Sequence, residues 1–545
     1  MNMNDSAISR LVRTCFNVLI RIRYAPLFLA TIFSFVIVPV TPGYGFGLSG
    51  EEWNEDVQFD RAVRLLKRAT HAGPDGEYLV LLRGLRQMHD PKLLPFFTTL
   101  CQSTNPIIKV HALLAVADLS EPKRIDAWKL HQLDQVELRR GALAQAIKDD
   151  MVGAKEYREI LAWSDLDDSI KSVVLVMLVK RGITAEEIAQ MVALMNDSGS
   201  PIVRARCAVG LLDLHRPEGT QEALDSLEDL PRSIREEAVS NLLGLIRSES
   251  LENTDSWVKS LNEREDISVS LRLEIVRMLL DMYPEDGRIA WKKMYESSTG
   301  LANKLRSAMV LLSSVKDVGA DDFKPVLEDS SPILAAMGEA GAAVASGSPA
   351  TEECLHLLSF HHPASAVWVF DHARTLTDTN KSDAATILSA LVEGTMEDGP
   401  AMEERLELAV LASGILTKID PDLLRERLDE TVARQRRLTQ EAILAGAWQS
   451  GSQNANTVIH GVSEWTSTRA GSLAVLISAE YEEVNQLDGD DLKRLTLIFG
   501  GAGQVSPGNE VQAAWLFLRH TGQEGAALAL VLGDLSQSKP TKTDG

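Results

Sequence analysis

Hydrophobic and polar positions recur along this chain with the spacing of amphipathic helices. Seven dipeptides of an aliphatic residue followed directly by a base recur at intervals of 30 to 37 residues. An apolar or small residue stands four positions after each aliphatic residue, and another stands five positions after it, so one helical face is apolar in every unit. The pattern predicts one amphipathic helix per unit. The seven dipeptides are Ile108-Lys109, Leu138-Arg139, Ile170-Lys171, Val203-Arg204, Ile234-Arg235, Leu271-Arg272 and Leu305-Arg306.

Signals for helix starts agree with this placement. Pro106 and Pro201 stand two residues before the aliphatic residue, and Pro231 stands three residues before it. Proline is favoured in the first turn of a helix, where its missing N–H leaves no bond unmade. Asn105 and Ser200 precede two of these prolines and are suitable N-caps. We therefore expect the repeated helices to begin close to these residues.

A second set of helices is predicted between the repeated ones. Thr184 with Glu187 is a candidate capping box at the start of one of them. Two helices per unit of this length are typical of an α-solenoid, in which each pair exposes an apolar face until a neighbour stacks on it. The predicted intervening helices are Ala154–Ser164, Ala185–Asn196, Gln221–Glu228 and Asp255–Arg264.

The repeated unit resembles the HEAT repeat, especially its short bacterial form. In the closest match, Val203-Arg204 opens the second helix and the small residues Cys207, Ala208 and Gly210 follow. The resemblance covers roughly residues 75–345. It implies an all-α fold, a right-handed α-solenoid of stacked antiparallel helix pairs with about 10 to 14 repeats. It also implies an interaction role, and it implies no chemistry.

The pattern changes beyond Ala350, where the base is lost. Leu408–Leu416 and Leu438–Trp448 still have helical patterns, so this region is either a set of degenerate repeats or a different helical cap. We expect a signal or anchor at 1–47, a HEAT-like solenoid at 48–348 and a C-terminal helical region at 349–535. Residues 536–545 are expected to form a flexible tail.

The first 47 residues have the order of a secretory signal. Four arginines precede a charge-free and mainly apolar stretch, Ala25 to Val40, and small residues and turn formers follow it. The apolar stretch is short for a membrane span. We expect cleavage between Tyr44 and Gly50 and a periplasmic or secreted protein. The alternative is an uncleaved anchor in the inner membrane, with the protein facing out of the cytoplasm.

Charge narrows the choice of partners. The 545 residues include 77 acids and 55 bases, a net charge of −22. Such a surface repels phosphate backbones and anionic lipid headgroups, so a nucleic-acid partner is not expected. A basic or neutral protein, or another polymer of that kind, is the expected partner. Membrane contact is expected only if the N-terminal segment stays uncleaved.

The seven bases occupy one repeat position and could line a groove for an anionic ligand. However, this position lies within the apolar arc and near a helix N-terminus, where a buried cation needs an anion. An aspartate precedes the base by five to seven residues in five units, so the preferred interpretation is a structural ladder in which these acids pair with the bases and tie the turns to neighbouring helices. These aspartates are Asp134, Asp165, Asp197, Asp229 and Asp266.

No catalytic or metal motif is recognised. His356 and His361-His362 lie near Cys354, but their spacing suits a turn better than a metal site. Gly500–Gly503 lacks the Lys-Ser/Thr of a phosphate loop, and Glu296-Ser297 lacks the partner motif of lytic transglycosylases. We therefore expect no catalytic, cofactor-binding or metal residues and no cofactor.

Three cysteines follow the predicted signal, and they are far apart in the sequence. Buried small residues in helices are the preferred interpretation, while one disulfide stays open and the sequence does not choose its pair. The cysteines are Cys101, Cys207 and Cys354.

The leading functional hypothesis is an exported, non-enzymatic scaffold that binds a protein or another polymer through the solenoid surface. The alternative is an envelope enzyme of the hydrolase type with an unrecognised site in the C-terminal helical region. Four tryptophans lie in the intervening helices, where most are expected in the core, and any exposed ring is a candidate binding contact. They are Trp128, Trp163, Trp257 and Trp291.

Overall fold

The computed structural model describes ten parts of the chain and contains only helices in them. No strand occurs among the described residues, so the predicted all-α class is confirmed for them. The predicted export segment, Asp229 and residues 538–545 lie outside this part of the chain. The described residues are 54–71, 76–216, 219–228, 230–315, 317–394, 403–459, 469–482, 487, 489–502 and 505–537.

Contacts divide the described chain into two compact units. Residues 120–353 form the first, called the central unit below. Residues 54–119 and 354–537 form the second, called the terminal unit because it contains both ends of the described chain. The predicted division at residue 348 lies close to one of these boundaries. The grouping of 54–119 with the C-terminal helices was not predicted.

The terminal unit opens with four helices and continues with those that follow the central unit. The first four are α1 Glu55–Thr70, α2 Glu77–Gln87, α3 Leu94–Leu100 and α4 Pro106–Leu119.

The central unit consists of short helices joined by tight turns. Its helices are α5 Ala127–His131, α6 Val136–Lys148, α7 Ala154–Leu161, α8 Asp168–Val179, α9 Ala185–Asp197, α10 Pro201–Asp213, α11 Gly219–Glu228, α12 Arg232–Glu249, α13 Asp255–Glu263, α14 Val269–Met282, α15 Pro284–Ser297, α16 Leu301–Ser313, α17 Lys324–Leu327 and α18 Pro332–Ala345.

The remaining helices run to the end of the described chain, and the first of them contains the boundary between the two units. They are α19 Thr351–Leu358, α20 Pro363–Leu376, α21 Lys381–Glu393, α22 Glu403–Ile419, α23 Pro421–Ala433, α24 Arg437–Gln449, α25 Ala455–Ile459, α26 Arg469–Tyr481, α27 Gly489–Leu497, α28 Pro507–His520 and α29 Glu524–Gln537. Two 3₁₀ turns, Pro91–Leu93 and Ala320–Phe323, and one π-helical turn, Ile498–Ala502, complete the described set.

The predicted helices are present close to their expected bounds. The four intervening helices are α7, α9, α11 and α13, and the two later ones lie within α22 and α24. The predicted tail begins inside a helix, because α29 extends to Gln537. The helix pattern was readable where a helix buries one apolar stripe, as α13 does with Trp257, Val258 and Leu261.

Local capping explains several of the starts. The Thr184 hydroxyl accepts from the Glu187 N–H at 3.3 Å, and the Glu187 carboxylate accepts from the Thr184 N–H at 2.7 Å, which confirms the capping box. The Asn105 side chain accepts from two N–H groups at the start of α4. Ser200 is an N-cap by position only, since its side chain makes no capping bond. Pro231 stands at the N-cap of α12 rather than within the helix.

Helices that carry the repeated dipeptide pack on one another in chain order within the central unit. Helix α8 contacts α10, and the series continues through α12 and α14 to α16, which in turn contacts α18, a helix without the dipeptide. Five successive helices of the repeated set thus lie next to one another in chain order. This order is the main structural support for the stacking that we propose below.

In the terminal unit, the N-terminal helices pack against the C-terminal ones. Helix α2 approaches α28 so closely that a Cβ atom built on Gly84 would lie 2.5 Å from the carbonyl oxygen of Gly508. Trp515 of α28 is fully buried, and its indole N–H donates to the Asp90 carboxylate at 2.8 Å. The Gln512 amide donates to the Gly84 carbonyl at 3.0 Å. Within the terminal unit, the first described helices therefore pack directly against the last ones.

Candidate functional site

The bases of the seven dipeptides lie mainly on the buried side of their helices, as the sequence predicted. Arg139 is the most buried, with a side chain that is 6% exposed. Arg204, Arg235 and Arg272 are partly buried. Arg306 is exposed and is the exception. A partly buried guanidinium needs hydrogen-bond acceptors. If those acceptors are groups of the protein itself, the ladder is structural.

Arg139 does not pair with the aspartate of its own unit. Its guanidinium binds Asp165, in the turn of the next repeat, at 2.8 Å, while Asp134 is exposed. The neighbouring Arg140 likewise forms an ion pair with Asp167, at 2.8 Å. Hydrogen bonds from His131 and Arg139 lower the pKa of Asp165. The predicted pairing within the unit is therefore wrong here, since the acid comes from the following repeat.

Arg235 lies in a small network of four charges. It approaches Asp266 of the next repeat at 3.0 Å and Glu228 of its own repeat at 3.5 Å. Arg264 binds the same two carboxylates at 3.0 and 2.5 Å, and it lowers the pKa of both. Asp229, the acid predicted for this unit, lies outside the described residues. The network joins two successive repeats.

Two other arginines bind backbone carbonyls instead of the predicted aspartates. Arg204 donates to the Ser198 carbonyl at 3.1 Å, and its closest carboxylate contact is Glu222 at 3.7 Å. Arg272 donates to the Arg264 carbonyl at 2.7 Å and to the Asn262 carbonyl at 3.1 Å. The last carbonyls of a helix carry partial negative charge, so they are suitable acceptors for a guanidinium.

In the last of the seven units a different base takes this role. Lys304, two residues before Arg306, binds Asp329 in the following turn at 2.6 Å. The Tyr295 hydroxyl also donates to Asp329, at 3.2 Å, and the Ser331 N–H donates at 3.1 Å. Lys304 is the main cause of the lowered pKa of Asp329. These bonds tie α15, α16 and the turn before α18 together.

We expect Asp329→Ala to lower the free energy of unfolding by about 1–3 kcal/mol, because it removes the shared acceptor of three donors. Asp134→Ala is the matched control, since Asp134 is exposed and is not bound by the arginine of its unit. The control should change stability by no more than about 0.5 kcal/mol. Urea denaturation measures both, and equal effects of the two variants would refute the inter-repeat pairing.

The same contact predicts a pH dependence. The pKa of Asp329 is lower in the folded state than in the unfolded chain, so its stabilising contribution is complete above the unfolded value of about 3.9. That contribution is lost as pH falls through the lower, folded value. The difference in stability between wild type and Asp329→Ala should therefore shrink on acidification below about pH 4.

The terminal unit contains a concave site that the sequence analysis did not predict. We call it the arginine pocket. Its empty volume is about 760 Å³, which includes the space at its open mouth. Three arginines of α1 line one side, and they stand at positions i, i+3 and i+7 of one helical face. The pocket residues are Arg61, Arg64, Leu65, Arg68, Phe499, Gly500, Gly501 and Glu510.

The three arginines differ in their partners. Arg61 donates to the Gly500 carbonyl at 3.1 Å, and Arg68 pairs with Glu77 of α2. Arg64 is exposed and makes no ion pair or hydrogen bond with any residue in the described part of the chain. Burial and the nearby Glu77 raise the pKa of Glu510 to about 7, although Arg68 and Arg61 oppose this rise. The pocket therefore carries a net positive charge in a strongly acidic protein.

Gly500 and Gly501 were predicted to belong to a loop between helices. Gly500 instead lies in the middle of the π-helical turn Ile498–Ala502, where it contacts the Arg61 guanidinium, and Gly501 has a φ of 85° that favours glycine. Gly503 lies outside the described residues. The signal that could have revealed the pocket is the spacing of the three arginines in α1, which are 3 and 4 residues apart.

The histidine cluster of the sequence analysis does not form a metal site among the described residues. Cys354 is buried in α19, and His361 has a φ of 52° in the turn after that helix. His362 caps α20, where its ring accepts from the Ser365 N–H at 3.3 Å. No group of three metal-ligating side chains converges in the described ranges. Glu296 lies on α15 and is exposed.

Comparison of the chain with family models, with curated proteins and with solved structures finds no match. The HEAT resemblance consequently stays a prediction that depends on the repeated residues alone. None of the helices in the described ranges is both long enough and apolar enough to span a bilayer.

The four tryptophans of the intervening helices separate into two kinds. Trp163, Trp257 and Trp291 are buried, which confirms the expectation that most of them belong to the core. Trp128 is 66% exposed, and it is the one exposed tryptophan among those that the structure describes. A large aromatic ring in water is a suitable contact for a partner, because its burial removes much apolar area at little cost in side-chain entropy.

Proposed function

We propose that the protein is an exported, non-enzymatic interaction scaffold. In this proposal its helix pairs stack as a right-handed, HEAT-like α-solenoid, and a protein partner binds to the surface that carries Trp128. The observation that carries the proposal is the exposure of this ring in a unit whose other described tryptophans are buried. The proposal does not assign chemistry to the chain.

The ladder of inter-repeat contacts supports the stacked arrangement. Arg139, Arg235 and Lys304 each reach an acid 25 to 31 residues further along the chain, close to the repeat length in the sequence. Such contacts hold one helix pair against the next. The charged side chains involved are occupied by protein groups, so they are not available to bind an anionic polymer.

Trp128 lies on α5, a helix of five residues at the start of the central unit. Lys129 beside it is also exposed, and Val136 at the start of α6 exposes its apolar side chain. Aromatic residues are enriched among the contacts that carry most of the free energy of protein association. Because the Trp128 backbone is helical and the side chain has two rotatable bonds, little conformational freedom is lost on binding.

Charge favours a basic or neutral partner. The acid excess of the chain attracts cationic surfaces and repels polyanions, and this attraction changes the rate of encounter more than the strength of the complex. We therefore expect the association rate to fall as salt is added, while the dissociation rate depends on whether Trp128 is buried in the complex.

Site-directed photo-crosslinking in the native host tests the proposal. A photoreactive amino acid at position 128 should form a covalent adduct with one discrete protein. The matched control places the same group at position 155, because Lys155 has a side chain that is 82% exposed and lies in the same unit. An adduct at position 128 that is absent at position 155 is the expected result. Equal labelling at both positions, or none at position 128, would refute the assignment of the surface.

A further inference from the structure

The arginine pocket is an unusual feature of this chain because the chain has far more acids than bases. Three guanidinium groups project from one face of α1, and the opposite wall is formed by the backbone at Gly500 and Gly501 and by Glu510 of α28. Like charges repel each other, so an anion placed between these three cations would lower their mutual repulsion. Two carboxylates, Glu77 and Glu510, lie close to these cations.

Neither Arg61 nor Arg64 makes an ion pair with a carboxylate of the described chain. Glu77 is paired with Arg68, and it is the one carboxylate that makes an ion pair with a pocket arginine in the described chain. Arg61 has a backbone carbonyl as its acceptor, and Arg64 has no acceptor among the described residues. The Glu510 side chain faces the pocket, and its carboxylate makes no hydrogen bond with any described residue. At least one position for an external anion is therefore left.

We propose that the arginine pocket binds a tetrahedral oxyanion, a phosphate or sulfate group, between Arg61, Arg64 and the Glu510 side chain. Guanidinium groups bind such oxygens with paired N–H donors, and they do so better than lysine because their donors form a fixed planar fork. The group belongs either to a free small molecule or to a lipid headgroup, since the two present the same oxygens.

The glycines give this pocket its free space. A Cβ atom at Gly501 would point into open space, with no heavy atom within 4 Å, whereas a Cβ atom at Gly500 would lie 3.0 Å from the Arg61 guanidinium. A side chain at position 500 would thus displace Arg61. The pocket combines cationic side chains with an uncovered backbone, as oxyanion sites commonly do.

Binding should depend on the protonation of Glu510. The groups that face it are Glu77 of α2 and Arg61 and Arg68 of α1. The pKa of Glu510 is raised to about 7, so its charge is lost as pH falls from 8 to 6. A neutral Glu510 no longer repels an anion and can donate a hydrogen bond to it. Affinity for an anion whose own charge is constant should therefore increase towards pH 6.

Calorimetric titration of the full-length protein with sodium sulfate tests the pocket, because sulfate keeps its charge between pH 6 and 8. Ionic strength is held constant with sodium chloride. Saturable binding of one sulfate is expected, and Arg64→Met should weaken it by at least about tenfold, the loss of one charged hydrogen bond. Arg374→Met is the control, because Arg374 is a partly exposed arginine of α20 in the same unit but outside the pocket.

Arg64→Met is the variant of choice because the Arg64 side chain holds no other described residue in place, so folding should be unaffected. Arg61→Met should give the same loss of affinity, and Glu510→Gln should remove the increase towards pH 6. The absence of saturable binding in wild type would overturn the proposal. Equal affinity of wild type and both arginine variants would overturn it as well.

A second arm identifies the source of the oxyanion. Wild type and Arg64→Met are sedimented with vesicles of phosphatidylcholine alone and with vesicles that also contain phosphatidic acid. Sulfate binding together with sedimentation that requires both phosphatidic acid and Arg64 supports the site as one for a headgroup. Sulfate binding without sedimentation supports it as one for a free ligand. Sedimentation without any sulfate binding contradicts the pocket.

Discussion

Replacing Trp515 by alanine should lower the free energy of unfolding by about 3–5 kcal/mol, the usual cost of removing a large buried aromatic side chain. The ring is fully buried where α28 meets the N-terminal helices, and its N–H donates to Asp90. The substitution therefore leaves a cavity and removes a donor from a mostly buried carboxylate. Urea denaturation followed by circular dichroism measures the change.

Trp128→Ala is the matched control, since it removes the same side chain from a position that is 66% exposed. Its effect on stability should be no more than about 0.5–1 kcal/mol. If the two tryptophan variants unfold at the same denaturant concentration, then the packing of the first helices against α28 does not contribute to stability.

Gly84→Val should destabilise the same contact by about 1–3 kcal/mol or more, because the added atoms collide with backbone rather than with a movable side chain. The site of a Cβ atom on Gly84 lies 2.5 Å from the Gly508 carbonyl oxygen and 2.8 Å from the Gly508 Cα atom. Helices α2 and α28 would have to separate, and the bond from Gln512 to the Gly84 carbonyl would be lost with them.

Gly141→Ala is the control for this variant. Gly141 lies inside α6, where a Cβ atom would meet no atom within 4 Å, so alanine should stabilise the helix by about 0.5–1 kcal/mol. Opposite signs at positions 84 and 141 are the expected result in thermal or urea denaturation. Destabilisation at both positions would show that the effect at Gly84 does not come from the close approach of α2 to α28.

The helices could be predicted from sequence because their determinants are local. The apolar stripe of α13 and the capping box at Thr184 and Glu187 depend on residues within one helix and its first turn. The prolines at the starts of α4 and α10 act through their own backbone geometry. Local rules of this kind do not depend on how the helices later pack.

The pairing of the ladder could not be predicted in the same way. Asp134 and Asp165 are both plausible partners of Arg139, and the choice between them depends on the offset with which one repeat stacks on the next. That offset depends on how the side chains of two repeats pack, so it cannot be read from the spacing of charges within one unit. The buried side of the helix was predicted correctly because it depends on helical geometry alone.

The terminal unit was missed for a related reason. Trp515 and Asp90 are 425 residues apart, and neither belongs to a repeated pattern that would connect them. The arginine pocket depends on this closure, because α1 supplies its cations while Gly500 and Glu510 come from the other end of the chain. The spacing of Arg61, Arg64 and Arg68 indicates a basic helix face but not what lies opposite.

The proposed scaffold is tested most directly by the affinity of the protein that crosslinks at position 128. If Trp128 is the main contact, Trp128→Ala should raise the Kd of that partner by at least about tenfold, as for a hot-spot residue, while Lys155→Ala should leave it within about twofold. An equal Kd for wild type and Trp128→Ala, measured on folded proteins of unchanged stability, would contradict the proposal that this surface of the central unit binds the partner.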